Sequence, residues 1–184
     1  MVLLHTCCAD CFIQMHHVLE SMDIPSSEIT SYFYNPNIHP ESEYRARLEA
    51  LRSVSQQKHV PLIIENWSPK DYFSSIESLH TDERSDAVKR CPRCYTLRMT
   101  HLFEYARNHM YATVATTMSI SEYLDREMIL RIGLSLAKMF GISYVQPSAN
   151  THEHIHTCGF YKQNYCGCVF SLMQKIQEKY LSNG

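Results

Sequence analysis

The sequence predicts an α/β protein with a Rossmann-like, three-layer fold and a five-stranded parallel sheet. Two observations carry that expectation: five short apolar, β-branched or aromatic runs occur along the chain, and stretches with helical apolar spacing separate them. Strands alternating with helices pair in parallel through right-handed crossovers, and helices then cover both faces of the sheet. A third observation concerns placement. In such open sheets ligand sites form beyond the carboxyl ends of the strands, and the most reactive residues here follow strand ends.

Val2 to Leu4 is a short first strand that runs straight into His5-Thr6-Cys7-Cys8-Ala9-Asp10-Cys11. Phe12, Ile13, Met15, Val18, Leu19 and Met22 then fall on one side of a helix ended by Pro25. Ile29 to Asn35 reads as the second strand and Asn35-Pro36-Asn37 as its turn. From about Ser42 a helix places Tyr44, Leu48, Leu51 and Val54 on one stripe, and Val60 to Ile64 makes the third strand. Pro69 to Leu79 predicts a short helix, with Thr81 to Lys89 as a charged, lid-like connection. A helix opening at Lys89-Arg90-Cys91-Pro92-Arg93-Cys94-Tyr95 runs to about His109, and Tyr111 to Thr117 is the fourth strand. Leu124, Met128, Ile132 and Leu136 stripe a helix closed by Gly141, before a fifth strand over Ile142 to Val145. A polar, histidine-rich stretch from Ser148 to Thr157 and then Tyr161 to Cys168 lead into a last helix through Lys179.

At 184 residues and 45% hydrophobic content, the chain fits one domain, 1–184, with a sizeable core. No long apolar span predicts a membrane segment, and Met1 to Leu4 lacks the charged start and apolar region of a signal peptide; the expectation is a cytoplasmic protein. In a reducing compartment eight cysteines point to metal binding or catalysis before a disulfide framework. A formal charge of −2 supplies no long-range pull toward nucleic acid, so any such partner must meet a local patch among the 17 basic residues.

The cysteines fall into groups: Cys7, Cys8 and Cys11; Cys91 and Cys94; Cys158; Cys166 and Cys168. Adjacent Cys7 and Cys8 cannot both face a core and make poor disulfide partners, so a metal or redox centre explains them better than packing. Cys91-Pro92-Arg93-Cys94 has the spacing with which two sulfurs reach one centre, and pairing it with Cys7 and Cys8 completes four ligands. Zinc or an iron cluster satisfies that set; a structural zinc knuckle or unliganded thiols are the plainer alternatives. A Cys166-Gly167-Cys168 disulfide would close a very small ring and be easily reduced, which suits electron exchange, although the pair also suits metal ligation. Cys158 reads as a bystander, and His152, His154 and His156 as a solvated loop more than a metal site. His5 ends a strand beside the thiols, where it can bond a sulfur or donate a proton. Tyr34 is either buried strand or a stacking platform for a base.

Taken together, Leu3-Leu4-His5-Thr6-Cys7-Cys8-Ala9, Tyr32 to Pro40, Glu43-Tyr44 with Arg47, Arg90-Cys91 with Cys94-Tyr95 and Arg98, and Tyr161 to Cys168 resemble the QueH family of epoxyqueuosine reductases. The resemblance runs in order over nearly the whole chain. It implies a sheet akin to the adenine-nucleotide alpha-hydrolase (HUP) fold and cobalamin-independent reduction of epoxyqueuosine to queuosine in the tRNA anticodon, the last step of queuosine biosynthesis. It further implies a [4Fe-4S] cluster held by Cys7, Cys8, Cys91 and Cys94, and a redox-active disulfide between Cys166 and Cys168. Cys11 and Asp10 are candidates for an additional iron ion. His5 and Tyr34 are candidate catalytic residues, and Asn35, Asn37, Arg47 and Arg98 candidate contacts to a tRNA carrying epoxyqueuosine, with Arg45, Arg90 and Arg93 also available for phosphates. An unidentified electron donor is required, and the tail, about 148–171, must bring Cys166 and Cys168 to the rim. Asp10 stands where proline is usual, Ser119 to Glu122 lacks a Ser-Pro pair, and Val145-Gln146-Pro147 replaces a more polar stretch.

Two rivals follow from the same residues. A zinc-binding RNA-interaction module without redox activity would use the thiols structurally. An ATP-using sulfurtransferase would need a glycine-rich phosphate loop after the first strand, and Thr6 to Cys11 has no glycine.

Overall fold

The computed structural model describes residues 1–147 and 159–181. His152, His154, His156 and Cys158 lie outside the described residues. Strands β1 (Val2–His5), β2 (Ile29–Phe33), β3 (Leu62–Ile64), β4 (Thr113–Thr116) and β5 (Ser143–Tyr144) form one sheet in the order β3-β2-β1-β4-β5, every pairing parallel. The intervening helices are α1 (Ala9–Ser21), α2 (Glu41–Gln57), α3 (Pro69–Ser75), α4 (Thr81–Ser85), α5 (Ala87–Asn108), α6 (Arg126–Phe140) and α7 (Val169–Leu181). The expected α/β fold with five parallel strands is therefore present.

β1 is central, and both its neighbours pair with it over all four residues. Burial on both faces explains why Val2, Leu3 and Leu4 form a continuous apolar run. Successive side chains point to opposite faces, so Leu4 and Phe33 pack with Phe12, Met15, Leu19, Leu51 and Val54 under α1 and α2. Leu3, Tyr32 and Val114 pack with Met99, Leu102, Phe103, Ile129 and Leu136 under α5 and α6. Burying each such side chain contributes about 1.5–3 kcal/mol before conformational entropy is subtracted. The strand order reverses between β1 and β4: β2 and β3 extend one way from β1, β4 and β5 the other. In open parallel sheets a ligand crevice lies at such a switch beyond the strand ends, and the segment after β1 emerges at that place.

One expected feature is corrected. Thr81 to Lys89 is not an open connection: it contains α4, whose His80 amide bonds the Glu83 carboxylate at 3.1 Å, while Lys89 Nζ meets Glu83 at 2.6 Å. Arg84 and Arg90 side chains tie the segment further through backbone carbonyls. No helix among the described residues is long and apolar enough to cross a membrane.

Two outcomes are expected for the scaffold. A Cβ built on Gly133 would lie 2.1 Å from the Tyr144 ring, so Gly133→Ala must displace an aromatic from β5 and should cost about 1–3 kcal/mol in urea unfolding. His16 is buried on α1, its Nε2 2.7 Å from Ser26 Oγ and its Nδ1 3.3 Å from Glu20, and burial, opposed by Glu20, lowers its pKa. The unfolded chain therefore takes up this proton first, so the contribution is complete above about pH 6.5 and is lost as pH falls below it. Urea midpoints measured at pH 7 and 5.5 should fall, and His16→Gln should reduce the fall.

Candidate metal and redox site

After His5 the chain leaves the sheet edge through bonds that fix each turn. Thr6 N donates to Tyr32 O at 2.9 Å, and Cys7 N donates to Thr117 Oγ1 at 3.2 Å, joining the loops after β1 and β4. Cys8 is extended (φ −168°, ψ 163°) and caps α1 with sulfur, accepting from Cys11 N at 3.4 Å. The spacing Cys8-x-x-Cys11 is thus a helix cap as well as a thiol pair. A helix N-terminus favours negative charge, but the neighbouring Cys7 and burial push the Cys8 thiol well up, so it would ionise only with a cation beside it.

The Sγ atoms of Cys7, Cys8 and Cys11 all lie within 4.8 Å of one another and all three residues are buried. Hydrogen bonds from Cys11 and Cys8 hold the Cys7 thiol well below its ordinary pKa, whereas the Cys11 thiol is pushed up by its thiol neighbours and burial. Three buried sulfurs this close cannot all ionise without a cation, so the donor set fits a metal centre. Asp10 is partly exposed on the flank of α1, accepting from Gln14 Nε2 at 3.1 Å, and its carboxylate is not in the thiol group.

The second set gathers beside Arg98. Cys91, Cys94, Cys166 and Cys168 line one enclosed cavity with Asn37, Tyr72, Arg90, Tyr95, Arg98 and Leu124. Both arginines are 2% exposed, and neither has a carboxylate within salt-bridge distance among the described residues. Arg98 lies near enough to both thiol sets to lower the pKa of Cys7 and Cys94 electrostatically. Asn37 Oδ1, Tyr72 Oη, Arg90 Nε and Arg98 Nε are buried without partners. Orphaned polar atoms and uncompensated cations beside thiols fit an anionic, thiolate-bound group.

The tail reaches this rim. Cys166 and Cys168 are free thiols with sulfurs 3.6 Å apart; Cys168 caps α7, accepting from Ser171 N at 3.4 Å. The bond from Cys166 and the helix end hold the Cys168 pKa at about 7, while burial and Cys168 push Cys166 up. Gly167 has φ 109°, and a Cβ there would lie 3.0 Å from Ile38 and 3.2 Å from Arg47. Only glycine lets the segment close this tightly.

Several expected roles change. Arg47 is not available for phosphate: it is buried, with Nε 2.7 Å from Glu43 Oε1, Nη2 donating to Tyr165 O at 3.0 Å and Nη1 to Cys166 O at 3.3 Å. Asn35 is used at both ends, Nδ2 on Thr6 O at 2.8 Å and Oδ1 under Arg98 Nη2 at 2.6 Å, so it braces the rim instead of meeting a base. His5 is fully buried with Nε2 3.1 Å from Tyr34 O and Nδ1 2.9 Å from Thr116 Oγ1. A carbonyl only accepts, so Nε2 carries the proton and Nδ1 accepts from the hydroxyl; burial lowers the pKa to about 3, and the ring stays a neutral brace. The Tyr34 ring is covered by His101, centroids 3.7 Å apart and 12° from parallel, and its hydroxyl donates to Asp71 at 3.2 Å. It is therefore not an open stacking platform. Asn37 alone among the four substrate candidates keeps an unpartnered acceptor. Thr117, Tyr72, Glu43 and Gln163 were not named as site residues from the sequence; Glu43 and Gln163 lie within motifs that carry the resemblance, Thr117 follows the fourth strand, and Tyr72 carried no signal.

The Arg47 clamp generates a prediction. Arg47→Met leaves the buried Glu43 carboxylate without its cation, at an expected cost of about 3–5 kcal/mol. Adding Glu43→Leu should return part of that stability in urea unfolding, and trypsin should cut after Lys162 faster in the single variant than in the parent.

A family model described as epoxyqueuosine reductase QueH matches residues 2–174. Relatives of that name include a Dehalococcoides mccartyi protein, 30% identical over 95% of this chain and 94% of its own length. A Haemophilus influenzae protein is 29% identical over 93% of this chain and 71% of its own, and a Thermotoga maritima protein 28% identical over 96% and 93%. With matching motifs at the strand ends and a match across nearly its full length, the chain belongs to the epoxyqueuosine reductase QueH family.

Proposed function

We propose that this protein is an oxidoreductase that reduces epoxyqueuosine to queuosine in the tRNA anticodon. The observation that carries this reading is the group of three buried thiols, Cys7, Cys8 and Cys11, on the loop after the central strand in a chain of this family. Cys7, Cys8, Cys91 and Cys94 would hold a [4Fe-4S] cluster. Cys11, which lies with Cys7 and Cys8, is the better placed of the two candidates for an additional iron, ahead of Asp10.

Converting an epoxide to an alkene consumes two electrons and two protons and releases the oxygen as water. The bound cluster would supply electrons, and a neighbouring iron Lewis acidity toward the epoxide oxygen. The protein's own groups do the rest. Arg98 and Arg90 hold negative charge in the cavity, and the neighbouring Asn37 Oδ1 offers an acceptor to substrate. Of the proton-donor candidates, Asp10 alone reaches solvent, since His5 and Tyr34 are engaged. Cys166 and Cys168, with sulfurs 3.6 Å apart, can form and break a disulfide and so take two electrons from a donor to the site. The target base must leave the anticodon stack to reach the rim. Of the arginines considered for phosphate, Arg93, between the paired cysteines of α5, and Arg45 are exposed, and Arg45 is paired with Glu41.

Anaerobic purification, an absorption spectrum and iron and sulfide counts test the reading, followed by turnover on tRNA carrying epoxyqueuosine. A brown protein with acid-labile sulfide is expected, with Cys8→Ala and Cys94→Ala each losing iron and more than about tenfold in activity. Replacing Cys166 and Cys168 by Ser should abolish turnover with a dithiol-class reductant. A colourless protein holding zinc and no sulfide would establish the structural RNA-binding module instead.

A further inference from the structure

Gln163 lies in the tail, yet its side chain ends in the thiol loop at the other end of the chain. Its Nε2 is 2.9 Å from Cys8 Sγ, in a contact that is fully buried. Cys11 N donates to the same sulfur at 3.4 Å, so two N–H groups converge on Cys8 at the start of the 13-residue helix α1. Metal-bound cysteine is a thiolate with no proton to give, so an amide beside it must present N–H and not carbonyl. Turning the amide round would give its Oε1, now buried without a partner, only a repulsive contact with that thiolate.

The backbone on either side is held by other groups. Arg47 bonds the carbonyls of Tyr165 and Cys166, His39 N donates to Gly167 O at 2.8 Å, and Tyr165 Oη donates to His39 O at 2.6 Å. Nothing in that scaffold needs the Gln163 amide, which is spent on sulfur.

We propose that Gln163 is a positioning residue that donates a hydrogen bond to the Cys8 thiolate of the metal centre and raises the centre's reduction potential. The inference rests on the reading of Cys8 as a cluster ligand. An N–H dipole aimed at sulfur stabilises its negative charge and weakens its donation to metal, and it does so more in the reduced, more negative state. Because Gln163 lies three residues before Cys166, the segment that carries the dithiol also sets the potential of the group it would feed.

The test compares anaerobically purified parent, Gln163→Leu and Gln163→Glu holoenzymes by EPR-monitored redox titration. The Leu variant is expected to shift the midpoint to more negative potential, and the Glu variant, which places a carboxylate on the sulfur, to shift it further, with the parent's thermal midpoint kept within a few degrees by Leu. An unchanged midpoint in Gln163→Leu at full iron content overturns the proposal. If a variant loses its cluster, or if the parent never holds one and the proposed reaction fails, cobalt(II)-loaded parent and Gln163→Leu decide. Removal of the hydrogen bond should move the thiolate-to-cobalt charge-transfer band to lower energy, and an unmoved band overturns the proposal.

Discussion

The buried Arg47 guanidinium fixes where the tail of this chain lies. It sits on α2 one turn from Glu43, and the remaining faces of the fork take the carbonyls of Tyr165 and Cys166. Tyr161 Oη completes the carboxylate side by donating to Glu43. Burying a charged pair costs free energy, and the cost is offset only when the remaining donors are satisfied, as they are here by backbone carbonyls that no helix or strand uses. The clamp converts a segment without regular structure into a fixed wall of the site. Gln163, Cys166 and Cys168 take their positions from it.

The second constraint is charge. Around Arg90 and Arg98 there are sulfurs and carbonyls but no carboxylate within ion-pair distance among the described residues, and Arg90 also lies 4.8 Å over the Phe170 ring. Burial pushes the Cys91 and Cys94 thiols up, while Arg90 and Arg98 pull them back toward thiolate, so these sulfurs ionise readily only with a further cation such as a metal. The helix starts act in the same sense, since Cys8 caps α1 and Cys168 caps α7. Both effects favour sulfur as a ligand to a cation, and both come from groups that are themselves not reactive. His5, Asn35 and Thr117 belong with this framework: each ties two of the loops that leave the strand ends.

Much of the frame was legible in the order of residues. Apolar spacing marked the helices because burying one face requires a 3.6-residue period, and Gly141 at φ 68° closes α6 where the sequence placed its end. Thr81 to Lys89 misled because its composition is that of a solvated loop, while its order comes from the Glu83 bonds and from Arg84 and Arg90 reaching backbone carbonyls five to seven residues away. Arg47, Asn35 and Arg98 misled in the same way. Polar residues near a predicted rim read as open to ligand, and nothing local indicates that each is buried and already bonded.

Sequence alone therefore determined the fold class and marked the strand ends and the cysteines as candidates for the chemistry, because periodicity and residue type are local properties. Tertiary structure decided the rest. It brought Cys11 into one group with Cys7 and Cys8, placed Cys91 and Cys94 around a cavity with Cys166 and Cys168, turned Arg47 inward as a clamp, and put Gln163 on Cys8. The Arg47 and Gln163 contacts join residues 118 and 155 positions apart, and only the packed chain, with its charges removed from water, sets which donor meets which acceptor.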